Sequence, residues 1–233
     1  LPISATGHMI LIDELIRLNA STEFKSMFMV VIQLGAILAV VVLYFKKLNP
    51  FSKSKSAKMR RLTLELWKKI IIACLPAAML GFLIDDWLDA HLYNGFVVSM
   101  ALIIYGILFI MIENSNKKRV DSIRSVHAID YQTALFIGFF QVLALIPGTS
   151  RSGATIIGGM ILGASRAVSA EFSFFLSIPI MFGASLLKLV KFGFHYTAAE
   201  VVYLLLGMIV AFVVSVFSIS FLLNWIKKND FKF

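Results

Sequence analysis

Long apolar stretches separated by short polar loops dominate the pattern of the chain. A helix needs about 20 mostly apolar residues to cross the hydrocarbon core of a bilayer. The stretches that reach this length are residues 24–45, 62–84, 95–112, 172–190 and 201–226. Each is predicted to be a transmembrane helix, and the chain is therefore predicted to be an all-α, polytopic integral membrane protein.

Residues 131–163 depart from this pattern. Two short apolar arms, 131–146 and 154–163, flank the polar segment Pro147-Gly148-Thr149-Ser150-Arg151-Ser152-Gly153. Proline and glycine interrupt a helix, and non-helical backbone at membrane depth is tolerated only inside protein or beside a wet cavity. The segment therefore predicts a re-entrant helical hairpin, which enters the membrane and leaves on the same side.

Basic residues are concentrated in alternate loops, which orients the predicted helices. The loop 46–61 is rich in Lys and Arg and contains no acid, whereas 85–94 contains Asp85, Asp86 and Asp89. Basic loops face the cytoplasm, so 46–61 is predicted inside and 85–94 outside. With a re-entrant hairpin, the basic residues of 113–130 and those after residue 226 also fall inside.

Paired residues recur along the chain at one offset. Glu23-Phe24 recurs as Glu171-Phe172, and Gly35-Ala36 recurs as Gly183-Ala184, each 148 positions later. The helices that carry these pairs are predicted to run in opposite directions. The single transmembrane domain is therefore predicted to contain two inverted repeats, 1–112 and 131–233, joined by a cytoplasmic linker, 113–130. Inverted repeats with broken helices place a binding site near the bilayer midplane.

Composition and charge narrow the class further. The chain of 233 residues is 59% hydrophobic and 15% charged, with a mean hydropathy of +0.88, so lipid must cover part of its surface. The net charge of +9 arises from loops, and no basic face is interleaved with exposed aromatics, so a nucleic-acid partner is not expected. The single cysteine, Cys74, excludes a disulfide framework and indicates a packing role.

The polar segment of the hairpin carries the strongest candidate site. The candidate phosphate-binding residues are Gly148, Thr149, Ser150, Arg151, Ser152, Gly153 and Thr155. A helix that starts here leaves its first amide N–H groups unpaired, which favours an anion. The hydroxyl groups add donors, and the planar guanidinium of Arg151 suits phosphate oxygens. The alternative is a structural Arg151 that pairs with a helix C-terminus or a carboxylate.

A second candidate site lies in Ser4-Ala5-Thr6-Gly7-His8, which the repeat matches to the first. Ser4 and Thr6 are predicted to contact phosphate. His8 is predicted to be a nucleophile or general acid, the alternative being a structural hydrogen bond. His8, Ser150 and Arg151 are the predicted catalytic residues. The matched acids Glu23 and Glu171 are expected to have structural or positioning roles.

The two motifs, residues 1–8 and 147–155, closely resemble the signature motifs of the bacitracin-resistance family of undecaprenyl pyrophosphate phosphatases. Residues 31–36 and 170–174 are also similar to that family. The resemblance implies an enzyme that hydrolyses undecaprenyl pyrophosphate to undecaprenyl phosphate and phosphate, recycling the carrier lipid for cell-wall synthesis. It implies a site on the outer side of the bacterial inner membrane, a polyprenyl pyrophosphate partner and a divalent metal, Mg²⁺ or Ca²⁺. It leaves a homodimer open.

The chain departs from the family pattern in ways that keep two alternatives open. The family's metal-binding glutamates are expected before Leu1 and its last helix after Phe233, so we expect the chain to be a piece of a longer protein. Ala5 stands where the family usually has serine. The alternatives are a prenyl-phosphate flippase and an inactive lipid-binding form. The acid-phosphatase-like lipid phosphatases are disfavoured because the stretch after Arg151 lacks their histidine.

Overall fold

The computed structural model describes residues 5–13, 18, 20–92, 94–116, 121–193 and 195–226, and within them it is all-α, without a β-strand. The helices are α1 (Ala5–Asp13), α2 (Thr22–Val31), α3 (Gln33–Leu43), α4 (Phe45–Leu48), α5 (Ala57–Leu92), α6 (Gly95–Asn116), α7 (Tyr131–Val142), α8 (Arg151–Ile161), α9 (Arg166–Phe192) and α10 (Ala198–Ile226). Single 3₁₀ turns occupy Val126–Ala128 and Leu143–Leu145.

The predicted transmembrane helices are confirmed. Stretches that are long and apolar enough to cross a membrane are Thr22–Leu43, Ala57–Ile84, Gly95–Ile112, Arg166–Phe192 and Ala198–Leu222. The first combines α2 and α3, which meet at Ile32 with little change of direction because its φ and ψ are helical. Most side chains of α6 and α10 are exposed, as expected for helices covered by lipid.

The hairpin of two short helices is present at residues 131–161. At 1.5 Å per residue, α7 and α8 are only about 18 and 17 Å long, too short to cross a bilayer of about 30 Å. They pack against each other, and α8 is enclosed by α6, α7 and α9. Residues 153–160 are all buried. The hairpin thus has the shape that re-entrance requires, while its placement in a membrane stays a prediction.

The loop predicted at 85–94 is wrong in extent, because α5 continues to Leu92. Its acidic residues lie on the last turns of a 36-residue helix that contains Pro76. A helix of that length extends for about 54 Å and therefore projects beyond the hydrocarbon core. The acids mark the end of the hydrophobic segment rather than the end of the helix. Their placement outside the cell remains a prediction.

Small residues allow the helices to pack closely. A Cβ atom at Gly35 of α3 would lie 2.1 Å from the carbonyl oxygen of Met208 in α10. A Cβ atom at Gly138 of α7 would lie 2.4 Å from the carbonyl oxygen of Ala73 in α5. Close backbone approach at small residues is typical of helix association in membranes. The contact at Gly35 joins α3 to α10, and the contact at Gly138 fixes α7, and with it the hairpin, against the long helix α5.

The matched acids have different surroundings. Glu171 of α9 forms an ion pair with Lys47 of α4, at 2.5 Å, and so joins α4 to the N-terminal part of α9. Glu23 is exposed at the start of α2. A structural role for Glu171 is consistent with this ion pair. The inverted repeat that first connected the two acids stays a prediction.

Candidate phosphate-binding site

The turn between α7 and α8 depends on Gly148. Its φ is +90°, a conformation that side chains with a Cβ atom rarely adopt. A Cβ atom at this position would also lie 2.6 Å from the carbonyl oxygen of Val98 in α6. The amide of Thr149 donates to the carbonyl of Ile146, at 3.1 Å, and closes the turn. The predicted polar segment is therefore a tight turn pressed against α6.

Ser150 is the N-cap of α8. Its Oγ accepts a hydrogen bond from the amide of Gly153, at 3.1 Å, and lies 3.2 Å from Oγ of Ser152. Within the residues that the structure describes, the amide N–H groups of Arg151 and Ser152 have no hydrogen-bond acceptor. Those two amides and the positive end of α8 are available to an anion. The Gly153 amide, predicted to contact phosphate, is instead used by the cap.

The guanidinium of Arg151 is directed towards α9. Its Nη1 donates to the carbonyl oxygen of Ser173, at 3.4 Å, which is a long hydrogen bond. Among the described residues, Arg151 forms no ion pair with a carboxylate. A guanidinium inside a membrane protein is costly without a negative partner. Pairing with a carboxylate, one form of the structural alternative, therefore finds no support in the described part of the chain.

The hydroxyl of Thr155 supports the loop from behind. It is buried, donates to the carbonyl of Arg151 at 2.9 Å, and lies 2.7 Å from Oγ of Ser173. This geometry assigns Thr155 to positioning the backbone of Arg151. Direct contact between Thr155 and phosphate stays a prediction that would require these bonds to change.

Ser173 is the residue that the sequence analysis did not single out as part of the site. It meets Arg151 through its carbonyl and Thr155 through its hydroxyl. One feature of the sequence could have indicated this role. Ser169, Ser173 and Ser177 are spaced four residues apart, which puts them on one face of α9. All three are buried. A polar face on an apolar helix indicates contact with another polar element.

Thr149 completes the loop on the other side. Its side chain is buried, and the phenol of Tyr105 in α6 lies beside it. Tyr105 thus joins the candidate site through tertiary packing. The loop is held by α6 on one side and α9 on the other, and its hydroxyl groups, amides and guanidinium converge at the start of α8.

The second predicted motif is described only in part. Ser4 and the side chain of Thr6 lie outside the described residues. His8 is exposed on α1, and α1 packs against α6 and α2. Because α8 also packs against α6, both predicted motifs are on helices that share one neighbour. Whether His8 meets Arg151 stays a prediction.

A divalent metal finds no ligand set among the described residues. No group of three or more His, Cys, Asp or Glu side chains comes together in that part of the chain. The predicted divalent metal therefore stays a prediction, and the roles assigned below are those of the hydroxyls, amides, Arg151 and His8.

Comparisons with known proteins agree over the whole chain. The family described as "Bacitracin resistance protein BacA" matches residues 1–233. The chain is 60% identical over 233 residues to the undecaprenyl-diphosphatase of Desulfitobacterium hafniense, covering 100% of this chain and 84% of that protein. It is 58% identical over 234 residues to the undecaprenyl-diphosphatase of Enterococcus faecalis, covering 100% of this chain and 85% of that protein. The chain therefore belongs to the BacA family.

Proposed function

We propose that this protein is an undecaprenyl-diphosphatase, which hydrolyses undecaprenyl pyrophosphate to undecaprenyl phosphate and inorganic phosphate. Relatives of 56–60% identity that bear this name support the reaction. The apolar helices suit a substrate whose long prenyl chain stays in the membrane. We further propose that the protein resides in the bacterial inner membrane, with the site open to the outer side, because the basic loops then face the cytoplasm.

One observation carries the proposal within the molecule. Arg151 stands at the start of a buried helix, with no carboxylate partner among the described residues, and the amides of Arg151 and Ser152 have no hydrogen-bond acceptor there. A cation and several donors that converge in this way are complementary to a phosphate group.

The proposed mechanism is an in-line attack on the terminal phosphorus. Arg151, Ser150, Ser152 and the amides at the start of α8 bind the terminal phosphate and stabilise the charge on its equatorial oxygens. The bond from the terminal phosphorus to the bridging oxygen breaks as the bond to the attacking group forms, and undecaprenyl phosphate leaves. If water attacks, inorganic phosphate forms directly and His8 protonates the leaving oxygen; if His8 attacks, water then hydrolyses the phosphohistidine to inorganic phosphate. A metal has no fitting ligand set in the described residues, so no step is assigned to one.

His8 is proposed as the nucleophile or the general acid, and Ala5 makes this proposal testable. Where the family has a serine, this chain has no hydroxyl, so a serine nucleophile is not available at position 5. We propose that the family's hydroxyl supplies one hydrogen bond to a charged group. Its loss costs about 1.5–3 kcal/mol, which slows the reaction without abolishing it.

The test measures phosphate release from undecaprenyl pyrophosphate by the full-length protein in detergent. The variants are the unchanged protein, Ala5→Ser, and Ala5→Ser combined with His8→Ala. We expect measurable turnover from the first, faster turnover from the second and almost none from the third. Turnover from the double variant, with none from the unchanged protein, would assign the nucleophile to the serine hydroxyl.

The same preparation distinguishes the enzyme from the alternatives. An inactive lipid-binding form would release no phosphate from any variant. A flippase would move labelled prenyl phosphate between the leaflets of a liposome without consuming pyrophosphate. Phosphate release that requires Arg151 is the result expected for the enzyme, and its absence would overturn the proposal.

A further inference from the structure

A second group of cations lies outside the candidate phosphate site. The first turns of α5 and the start of α7 enclose a groove of about 990 Å³, here called the basic groove. Arg60, Arg61 and Lys68 line its polar part, and Leu64, Ile71 and Ile72 line its apolar part. Residues of the hairpin loop do not line it. The basic groove is therefore a separate feature from the site around Arg151.

The two arginines of the basic groove have no directly bonded partner among the residues that the structure describes. Arg60 and Arg61 are exposed, and neither guanidinium forms a hydrogen bond or a close ion pair with any residue that the structure describes. Glu65, the acid of the groove, is already bound to Lys68 at 2.9 Å and to the hydroxyl of Tyr131. Glu65 lies near enough to Arg61 for a long-range attraction, but its direct bonds go to Lys68 and Tyr131.

The position of these arginines near the N-terminus of α5 makes a bound anion more favourable. The first turn of α5 contains no acidic residue, and Lys58, Arg60 and Arg61 all lie near its N-terminus. That end of a helix carries a partial positive charge, so cations there are unfavourable and an anion is favourable. An anionic group between Arg60 and Arg61 would compensate both the side chains and the helix dipole.

The apolar part of the groove continues along the same face of α5. Arg60, Leu64 and Ile71 follow the spacing that places residues on one face of a helix. Leu64 and Ile71 are each 47% exposed. Ile71 lies about 16 Å along the axis from Arg60, which is enough to pass from the polar surface into the hydrocarbon region. The ring of Trp67 is held between these positions by its hydrogen bond to the carbonyl of Leu48, at 2.8 Å.

We infer that the basic groove binds one anionic phospholipid of the inner leaflet, with its phosphate between Arg60 and Arg61 and an acyl chain along Leu64 and Ile71. The charge selects an anion, and the continuous apolar strip selects a lipid over free phosphate. Basic residues beside a transmembrane helix on the cytoplasmic side are a recognised basis for binding anionic lipids. This site is additional to the proposed phosphatase activity and does not depend on it.

The test titrates the full-length protein in neutral detergent with phosphatidylglycerol or with phosphatidylcholine of the same acyl chains, and measures bound lipid by native mass spectrometry. We expect tighter binding of phosphatidylglycerol. Each basic residue near an anionic surface contributes about 1 kcal/mol, so Arg60→Gln with Arg61→Gln should weaken this binding about tenfold to thirtyfold. Arg60→Lys with Arg61→Lys should retain most of it.

The matched control removes two charges from the same predicted loop but outside the groove. Lys46 and Lys53 are exposed and do not line the groove, so Lys46→Gln with Lys53→Gln should leave binding unchanged. Equal losses in the control and in the arginine variant would overturn the proposal, as would equal affinity for the two lipids. Displacement of the lipid by millimolar inorganic phosphate would identify a site for soluble anions and would also overturn it. Phosphate release by each variant reports separately on the proposed function.

Discussion

Arg151 and the pair Arg60 and Arg61 are all candidate anion ligands, but their surroundings differ. Arg151 begins a short helix that is enclosed by α6, α7 and α9, and its loop is fixed by a cap, a glycine turn and a buried threonine. Arg60 and Arg61 project from one helix into an open groove. The first arrangement fixes the direction of each donor, whereas the second supplies charge at a surface. Anion binding at Arg151 should therefore depend mainly on the geometry of its donors, whereas anion binding in the basic groove should depend mainly on charge.

The largest expected effect comes from Arg151→Lys. Lysine keeps the charge but loses the planar fork, and removal of one preorganised donor commonly lowers kcat on the order of 10²–10³-fold. We expect a loss of this size in phosphate release by the full-length protein, with normal insertion into the membrane. The matched control is Arg124→Lys, because Arg124 is exposed in the linker. Near-normal activity in the lysine variant would show that Arg151 acts only as a charge.

Gly148→Ala tests whether the buried loop depends on its backbone geometry. The positive φ and the contact with the carbonyl of Val98 together should cost about 2–4 kcal/mol of stability, and phosphate release should fall with it. The measurement is the midpoint of thermal unfolding in detergent alongside activity.

Gly193 provides the matched control for this substitution. It has nearly the same φ, +89°, but a Cβ atom there would meet nothing within 4 Å. Gly193→Ala therefore reports the cost of backbone strain alone, about 1–3 kcal/mol at its φ of +89° and ψ of −170°. If both glycine variants had equal effects, the contact between Gly148 and α6 would contribute nothing.

The sequence predicted the hairpin well because its signals are local. Pro147 and Gly148 are adjacent residues that both disfavour a helix, and the polar residues after them were correctly placed at a helix start. The second arm begins at Arg151 rather than at the predicted residue 154, because the side chain of Ser150 caps the helix three residues earlier. Cap position depends on a hydrogen bond that the apolar pattern does not contain.

Features that depend on tertiary contacts were not predictable to the same degree. The role of Ser173 arises only because α9 packs against α8. The extension of α5 to Leu92 was missed because acidic residues were taken to mark a loop, although a helix can project beyond the membrane. The groove at Arg60 and Arg61 requires α7 beside α5, which the order of helices alone does not fix.

Salt should separate the two arginine environments. Exposed charges are screened over about 8–10 Å at 0.1–0.15 M salt, whereas enclosed ones are screened less. Raising the salt concentration from about 0.05 M to about 0.5 M should weaken phosphatidylglycerol binding to the groove several-fold. Single-turnover phosphate release should change less over this range. A steeper salt dependence for phosphate release than for lipid binding would reverse the assignment of buried and exposed sites.

The smallest expected effect contrasts the exposed cap of α7 with the buried cap of α8. Asp130 is the N-cap of α7, and its carboxylate accepts from the amide of Thr133 at 2.7 Å. This hydrogen bond lowers the pKa of Asp130 below its ordinary value. Because the folded-state pKa is depressed, the contribution of Asp130 to stability is present above the unfolded pKa of about 3.9 and is lost as the pH falls through the folded value.

Asp130→Ala should therefore lower the stability by about 1 kcal/mol near pH 7 while leaving phosphate release nearly unchanged. Asp130→Asn preserves the cap but removes the titration, so its stability should vary less with pH below about 4 than that of the unchanged protein.

The comparison is Ser150→Ala, which removes a cap of the same kind from the helix that begins at the candidate site. Thermal unfolding of the three variants should give similar destabilisation for the two alanine substitutions, because each removes one capping hydrogen bond. Only Ser150→Ala should also slow phosphate release, since its hydroxyl lies beside the donors of Arg151 and Ser152. Equal activity in the two alanine variants would show that the α8 cap serves the fold alone, and the buried and exposed ends of the hairpin would then no longer differ in function.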